Sequence, residues 1–291
     1  MRIIRYAQND QVHMGVILED GRAFRLPDED FLALVGRADA NGLRPGELIR
    51  QTLSELEAIS QPVQELNLLV PIAAPEVWAA GVTYERSREA RNAEVQSKGP
   101  VPVSYYDKVY EAERPEIFFK SSAARLRGPN EHVCIRNDSS WQVPEPELAL
   151  VIDAKGRILG YTVGNDMSCR DIEGENPLYL PQAKIWRNSC AIGPAIRLAD
   201  TVDDPYGFTI VCRIIRNGAV AAEGSASTRQ LKRKYEELIS YLLRDNIVFD
   251  GTVLLTGTCI VPPDNFTLAA GDRIEIEISG IGTLVNEVVP A

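Results

Sequence analysis

Three acidic residues carry the first suggestion of chemistry in this chain. Glu145 and Glu147 flank Pro146 at the head of the apolar run Leu148-Ala149-Leu150-Val151-Ile152. Residues two apart on a strand point to the same face, so this spacing sets two carboxylates side by side. A second apolar stretch, Gly160-Tyr161-Thr162-Val163-Gly164-Asn165, ends at Asp166. If the two stretches pair through a turn at Lys155-Gly156, all three carboxylates meet. Acids so close would raise one another's pKa unless a cation neutralised them. An all-oxygen ligand set suits a hard divalent ion, Mg²⁺ with Mn²⁺ or Ca²⁺ as substitutes, better than Zn²⁺. The plainer alternative for the glutamate pair is a solvated strand edge, since acidic side chains are mostly exposed.

Other candidates surround this trio. A lysine near a metal-bound substrate can stabilise a developing enolate or move a proton, which makes Lys184 a catalytic candidate. Glu116, opening the strand-like Glu116–Lys120, is a second candidate for proton transfer, and Lys120 ends that strand. Both lysines could equally be surface groups, and Glu116 a strand-edge acid. Thr258, in Thr256-Gly257-Thr258, ends another strand where a hydroxyl and free amides could hold a carboxylate; an ordinary turn fits as well. The two histidines, His13 and His132, read as structural or surface groups, and no Ser-His-Asp arrangement or phosphate-cradling glycine loop is visible.

Composition narrows the classes. The 291 residues carry 31 Lys+Arg against 41 Asp+Glu, a net charge of −10, which argues against nucleic acid as a partner. No apolar run reaches the roughly 18 residues of a membrane span, so no membrane partner is expected. Five scattered cysteines without a C-x-x-C pair suit reduced, buried thiols in a cytoplasmic protein. The elements that must position the acids are mostly strands: 2–6, 13–18, 23–26, 77–81, 116–120, 147–152, 157–164, 208–216, 252–256, 273–278 and 284–288. Helical periodicity is expected in 28–38, 45–59 and 230–246, the last with an apolar stripe through Leu231, Tyr235, Leu238, Ile239 and Leu242. The polar, arginine-rich stretch Tyr84–Lys98 reads as a helix that packs poorly and acts as a lid. The fold class is therefore α+β, mainly β. A small N-terminal α+β domain is expected over 1–70 and a β-rich domain over 71–291.

Taken in order, several segments resemble the fumarylacetoacetate hydrolase family. They are Gly81-Val82-Thr83-Tyr84, Phe118-Phe119-Lys120-Ser121, Glu145-Pro146-Glu147-Leu148-Ala149, Gly160-Tyr161-Thr162, Asn165-Asp166-Met167-Ser168-Cys169-Arg170-Asp171, Ala183-Lys184, Ile192-Gly193-Pro194, Thr256-Gly257-Thr258 and Gly271-Asp272. The resemblance implies a mixed β-sandwich roll, a Mg²⁺-type ion on Glu145, Glu147 and Asp166, and Lys184 in the active site. It also implies a homodimer or higher homo-oligomer acting on 2-oxo acids. Hydrolytic members carry G-x-N-Y-x-x-H in the first loop. Here Thr83 replaces the Asn and Ser87 stands at the His position, where a serine offers no useful basicity. Glu173 stands where many relatives have Gln. With Arg86 in the Tyr84–Arg91 run, these departures are similar to the branch that dehydrates 2-keto-3-deoxy sugar acids.

The expected reaction is thus metal-assisted loss of water from a 2-keto-3-deoxypentonate, with Lys184 and Glu116 catalytic and Lys120, Thr258, Ser87, Arg86 and Glu173 holding substrate. The alternatives are C–C hydrolysis of an acylpyruvate or β-diketo acid, decarboxylation or isomerisation of a 2-oxo acid, and a catalytically silent metal and 2-oxo acid binding protein.

Overall fold

The computed structural model describes residues 1–86, 105–263 and 265–291. It is α+β and mainly strand, built on two mixed sheets. The larger runs in the order Ala23–Leu26, Gln11–Ile17, Arg2–Gln8, Cys190–Leu198, Ile158–Asp166, Pro146–Ile152, Thr252–Leu255, Glu76–Gly81, Glu116–Ser122. Every neighbour in this path is antiparallel except Thr252–Leu255 with Glu76–Gly81. The smaller sheet runs Ala219–Ser227, Thr209–Arg216, Arg273–Ile278, Gly282–Pro290, His132–Ile135.

The strand Pro146–Ile152 shows why its sequence is apolar throughout. It lies in the middle of the large sheet and is buried at every residue. A strand covered on both faces reads as a continuous hydrophobic run, not an alternation. Leu148, Leu150 and Ile152 face a core shared with Ile210, Ile276 and the helix Tyr235–Leu243. Ala149 and Val151 face a second core filled by Phe31, Leu34 and Val35 from helix Phe31–Ala40 and Leu48 and Ile49 from helix Pro45–Thr52. The N-terminal segment, expected as a separate unit over 1–70, is hydrogen-bonded into this same sheet through Ile3 opposite Ile196.

The hairpin at Lys155-Gly156 forms as expected. Gly156 takes φ +81, a left-handed conformation open to glycine, and its N–H donates to the carbonyl of Asp153. Its register sets Pro146 opposite Asn165 and Glu147 opposite Gly164. Several expectations shift: the helix expected over 45–59 ends at Thr52, and the strands Ala219–Ser227 and His132–Ile135 were not among those expected. The strand Cys190–Leu198, absent from the sequence reading because Gly193-Pro194 looks like a break, pairs with both Arg2–Gln8 and Ile158–Asp166. Pro194 is tolerated because the ladder is interrupted there, between Tyr161 and Val163. The helix expected over 230–246 is confined to Tyr235–Leu243 because Leu231 bridges Tyr84 and the Lys232 N–H donates to the Thr83 carbonyl. All five cysteines are free and buried. Among the described residues, no helix is long and apolar enough to cross a membrane.

Close backbone packing near the start of Ile158–Asp166, at the end away from Asp166, depends on glycine. A Cβ at Gly160 would sit 2.4 Å from Ile196 Cγ2 and 2.7 Å from the Arg197 carbonyl. Gly160→Ala is therefore expected to lower stability by about 1–3 kcal/mol, the usual cost of overpacking, read as a lower thermal unfolding midpoint.

Candidate active site

The hairpin register brings the three acids together. Glu145 and Asp166 exchange backbone hydrogen bonds in both directions, at 3.2 and 3.0 Å. A directly opposed antiparallel pair presents its side chains on one face, and Glu147 lies two residues along on that face. The result is a buried trio whose ligand oxygens lie within 4.8 Å of one another.

Burying three carboxylates is costly unless each has a counter-charge or donor. Lys184, at the end of the short helix Leu180–Lys184, donates to Glu145 Oε2 at 2.6 Å, to Asp166 Oδ2 at 3.4 Å and to Ser168 Oγ at 2.6 Å. Arg170 pairs with Glu145 Oε1 at 3.0 Å and reaches towards Glu173 Oε2 at 3.9 Å. Lys120, fully buried, pairs with Asp166 Oδ1 at 2.6 Å. Glu147 accepts the Gly257 N–H at 2.6 Å. Burial first, then the charges of Asp166 and Glu145, push the Glu147 carboxyl well above the usual carboxylate range, against the pull of the Gly257 N–H and Lys184.

These residues fit a divalent cation. All three donors are carboxylate oxygens, converged and sheltered from water, which is the ligand chemistry of a hard ion such as Mg²⁺. Beside them lies a cavity of about 20 Å³, room for roughly one water-sized occupant. Ala80, Gly81, Val82, Glu116, Phe118, Glu173, Lys184 and Thr258 complete its wall.

The first loop shapes that wall. A Cβ on Gly81 would fall 2.0 Å from Glu116 Oε2, so the bare glycine lets the Glu116 carboxylate lie against the backbone. Val82 follows at φ +52, a left-handed conformation that a β-branched residue adopts at a cost of about 1–3 kcal/mol. Thr83 steadies it by donating from Oγ1 to the Thr256 carbonyl at 2.7 Å.

The structure thus brings Glu145, Glu147, Asp166, Lys184, Glu116, Glu173 and Thr258 to one cavity. Lys120 lies behind Asp166 instead of on that wall, and Arg86 is exposed and outside it. Ser87, and the expected lid beyond Arg86 as far as Lys98, lie outside the described residues. His132 is exposed, 3.9 Å from Glu287, and His13 packs against the Tyr6 ring. Ser168 and Arg170 had been given no role from sequence, whereas an amide of Thr256-Gly257-Thr258, a stretch expected to hold a carboxylate, holds that of Glu147. The one available signal for these two was their place just after Asp166, and nothing in composition separates a buried arginine from a solvated one.

Known proteins share this arrangement of chain. Residues 76–289 match the family described as fumarylacetoacetate (FAA) hydrolase C-terminal. The chain is 42% identical over 288 residues to 2-dehydro-3-deoxy-D-arabinonate dehydratase of Saccharolobus solfataricus, covering 99% of this chain and 96% of that one. It is 44% identical over 241 residues to a probable 2-keto-3-deoxyxylonate dehydratase of Haloferax volcanii, covering 83% and 81%. Among solved structures, 2-keto-3-deoxy-D-arabinonate dehydratase complexed with magnesium and 2,5-dioxopentanoate is similar with a TM-score of 0.83 and 39% identity, covering 100% of this chain and 99% of that one.

A raised folded-state pKa means that the folded chain binds the Glu147 proton more tightly than the unfolded chain does. Metal-free stability contributed by this group is therefore lost as pH rises above the ordinary carboxylate range. In EDTA, thermal unfolding of the parent chain is expected to show that fall, and Glu147→Gln to flatten it.

Proposed function

The chain belongs to the fumarylacetoacetate hydrolase family, and we propose that it is a metal-dependent hydro-lyase that removes water from a 2-keto-3-deoxypentonate to give 2,5-dioxopentanoate. The observation that carries this reading is the buried trio Glu145, Glu147 and Asp166 lining one cavity with Lys184 and Glu116. Its likeness over nearly its full length to a dehydratase of such an acid supports the same substrate class.

Glu145, Glu147 and Asp166 would hold the ion. Bound there, Mg²⁺ would supply Lewis acidity toward the keto oxygen and so acidify the C3 protons. Glu116, lining the same cavity and lying against Gly81, is the carboxylate that takes a C3 proton. Lys184 is the donor that assists departure of the C4 hydroxyl as water, its ammonium aimed by Glu145 and Ser168. Two further proton shifts, from C5 to C3 and then, in the resulting enol, from the C5 hydroxyl to C4, give the aldehyde of the product. Thr258 and Glu173 line the same cavity and offer groups to the substrate's polar atoms. With Ser87 at the position of the family's water-activating His, elimination needs less of this chain than C–C hydrolysis does. The reduced cysteines accord with work in the cytoplasm. The family resemblance accords with a homodimer or higher oligomer.

With Mg²⁺, a 2-keto-3-deoxypentonate is expected to yield 2,5-dioxopentanoate, followed through a coupled aldehyde dehydrogenase, and EDTA to stop it. Turnover of an acylpyruvate with none of the pentonate would reverse the assignment. Lys184→Met is expected to lower kcat by about 10²–10⁴-fold, the usual worth of a positioned proton donor, while calorimetry still registers Mg²⁺ binding.

A further inference from the structure

Lys120 was expected to bind substrate, and its surroundings give it another task. The strand Glu116–Ser122 pairs with Glu76–Gly81, Ser121 opposite Val77 and Phe119 opposite Trp78, so Lys120 is the extra residue of a bulge. A bulge re-aims a side chain out of the regular alternation. Here the Lys120 ammonium turns inward with no exposure at all. It lies 2.6 Å from Asp166 Oδ1, donates to the Met167 carbonyl at 2.7 Å, and donates to the Lys184 carbonyl. The Trp186 ring covers it, 5.2 Å from the ring centroid. An ammonium has three N–H groups and no acceptor, and these three oxygens occupy its surroundings.

The partners are informative in themselves. One is a side-chain oxygen of a candidate metal ligand, one the carbonyl next to it in sequence, and one the carbonyl of the candidate catalytic lysine. Ser189 Oγ also donates to that last carbonyl, at 3.1 Å. With Oδ1 of Asp166 engaged from behind, Oδ2 remains on the side of Lys184 and Glu145.

We propose that Lys120 is a positioning residue for the metal site: from the bulge it fixes which oxygen Asp166 turns toward the ion and ties that carboxylate to the backbone of Lys184. This rests on Glu145, Glu147 and Asp166 being the metal ligands. Two effects of removing Lys120 oppose each other. Deleting a positive charge next to three carboxylates strengthens their field and by itself tightens a cation. Releasing the Asp166 carboxylate loosens it, and loss of a partner that orients a ligand typically costs about 10–100-fold in metal affinity. If positioning governs, affinity falls although the site has become more negative.

The test is isothermal titration of metal-free protein with MgCl₂, alongside thermal unfolding in EDTA. Lys120→Met is expected to bind Mg²⁺ at least about tenfold more weakly than the parent chain. Unchanged or tighter binding by the folded variant overturns the proposal, even with a lower unfolding temperature, because a purely structural lysine changes stability and not the Kd. Where Lys120→Met does not fold, Lys120→Gln is read by the same criterion; if neither folds, the lysine belongs to the framework and the proposal falls. A parent chain that takes up no Mg²⁺ sinks the metal assignment itself, an outcome distinct from a parent that binds and a variant that binds equally well.

Discussion

Repulsion among three carboxylates held out of water is the constraint around which this molecule is arranged. Left alone, the trio would drive its hairpin apart or take up protons; burial first, then the charges of Asp166 and Glu145, push the Glu147 carboxyl up. Each neighbouring element answers part of that cost. The strand Glu116–Ser122 sends Lys120, the segment after Asp166 sends Arg170, the helix Leu180–Lys184 sends Lys184, and the turn after Thr252–Leu255 offers the Gly257 N–H. Three cationic side chains thus stand against three carboxylates.

The same arrangement explains the irregularities gathered at the edge of the large sheet. Lys120 sits in a bulge, Val82 takes a left-handed conformation, and Gly257 has φ +96 with no room for a Cβ beside Thr83 Oγ1. Away from the site the ladders are mostly regular and the two cores are packed with aliphatic side chains. Irregular backbone concentrated next to a polar cavity is what a functional site imposes on a scaffold whose stability comes from elsewhere.

Chemistry within the family can diverge because the metal-holding and proton-moving parts come from different elements. The acids lie on the central hairpin, where a change of register would dismantle the core. Glu116 and the Gly81-Val82-Thr83 loop lie on the last two strands of the large sheet, where the wall of the cavity can vary without disturbing that hairpin. The departure at Thr83 falls in this outer part.

The acidic trio was legible in sequence because each of its requirements is local: a two-residue spacing, a glycine turn at Lys155-Gly156, and an apolar run long enough to be a buried strand. The strands themselves were mostly legible for the same reason. Cys190–Leu198 was not, since Gly193-Pro194 reads as a break until a neighbouring strand is seen to skip a pairing there. Nor were the tasks of Lys120 and Arg170, because a cation's role depends on what it faces across the chain. Asp166 is 46 residues from Lys120, and Glu145 is 25 from Arg170. Residue type and spacing determined that this chain would gather carboxylates around a cation. The tertiary structure alone decided which cations hold them in place, because long-range charge pairing is set by packing and leaves no periodic mark on the sequence.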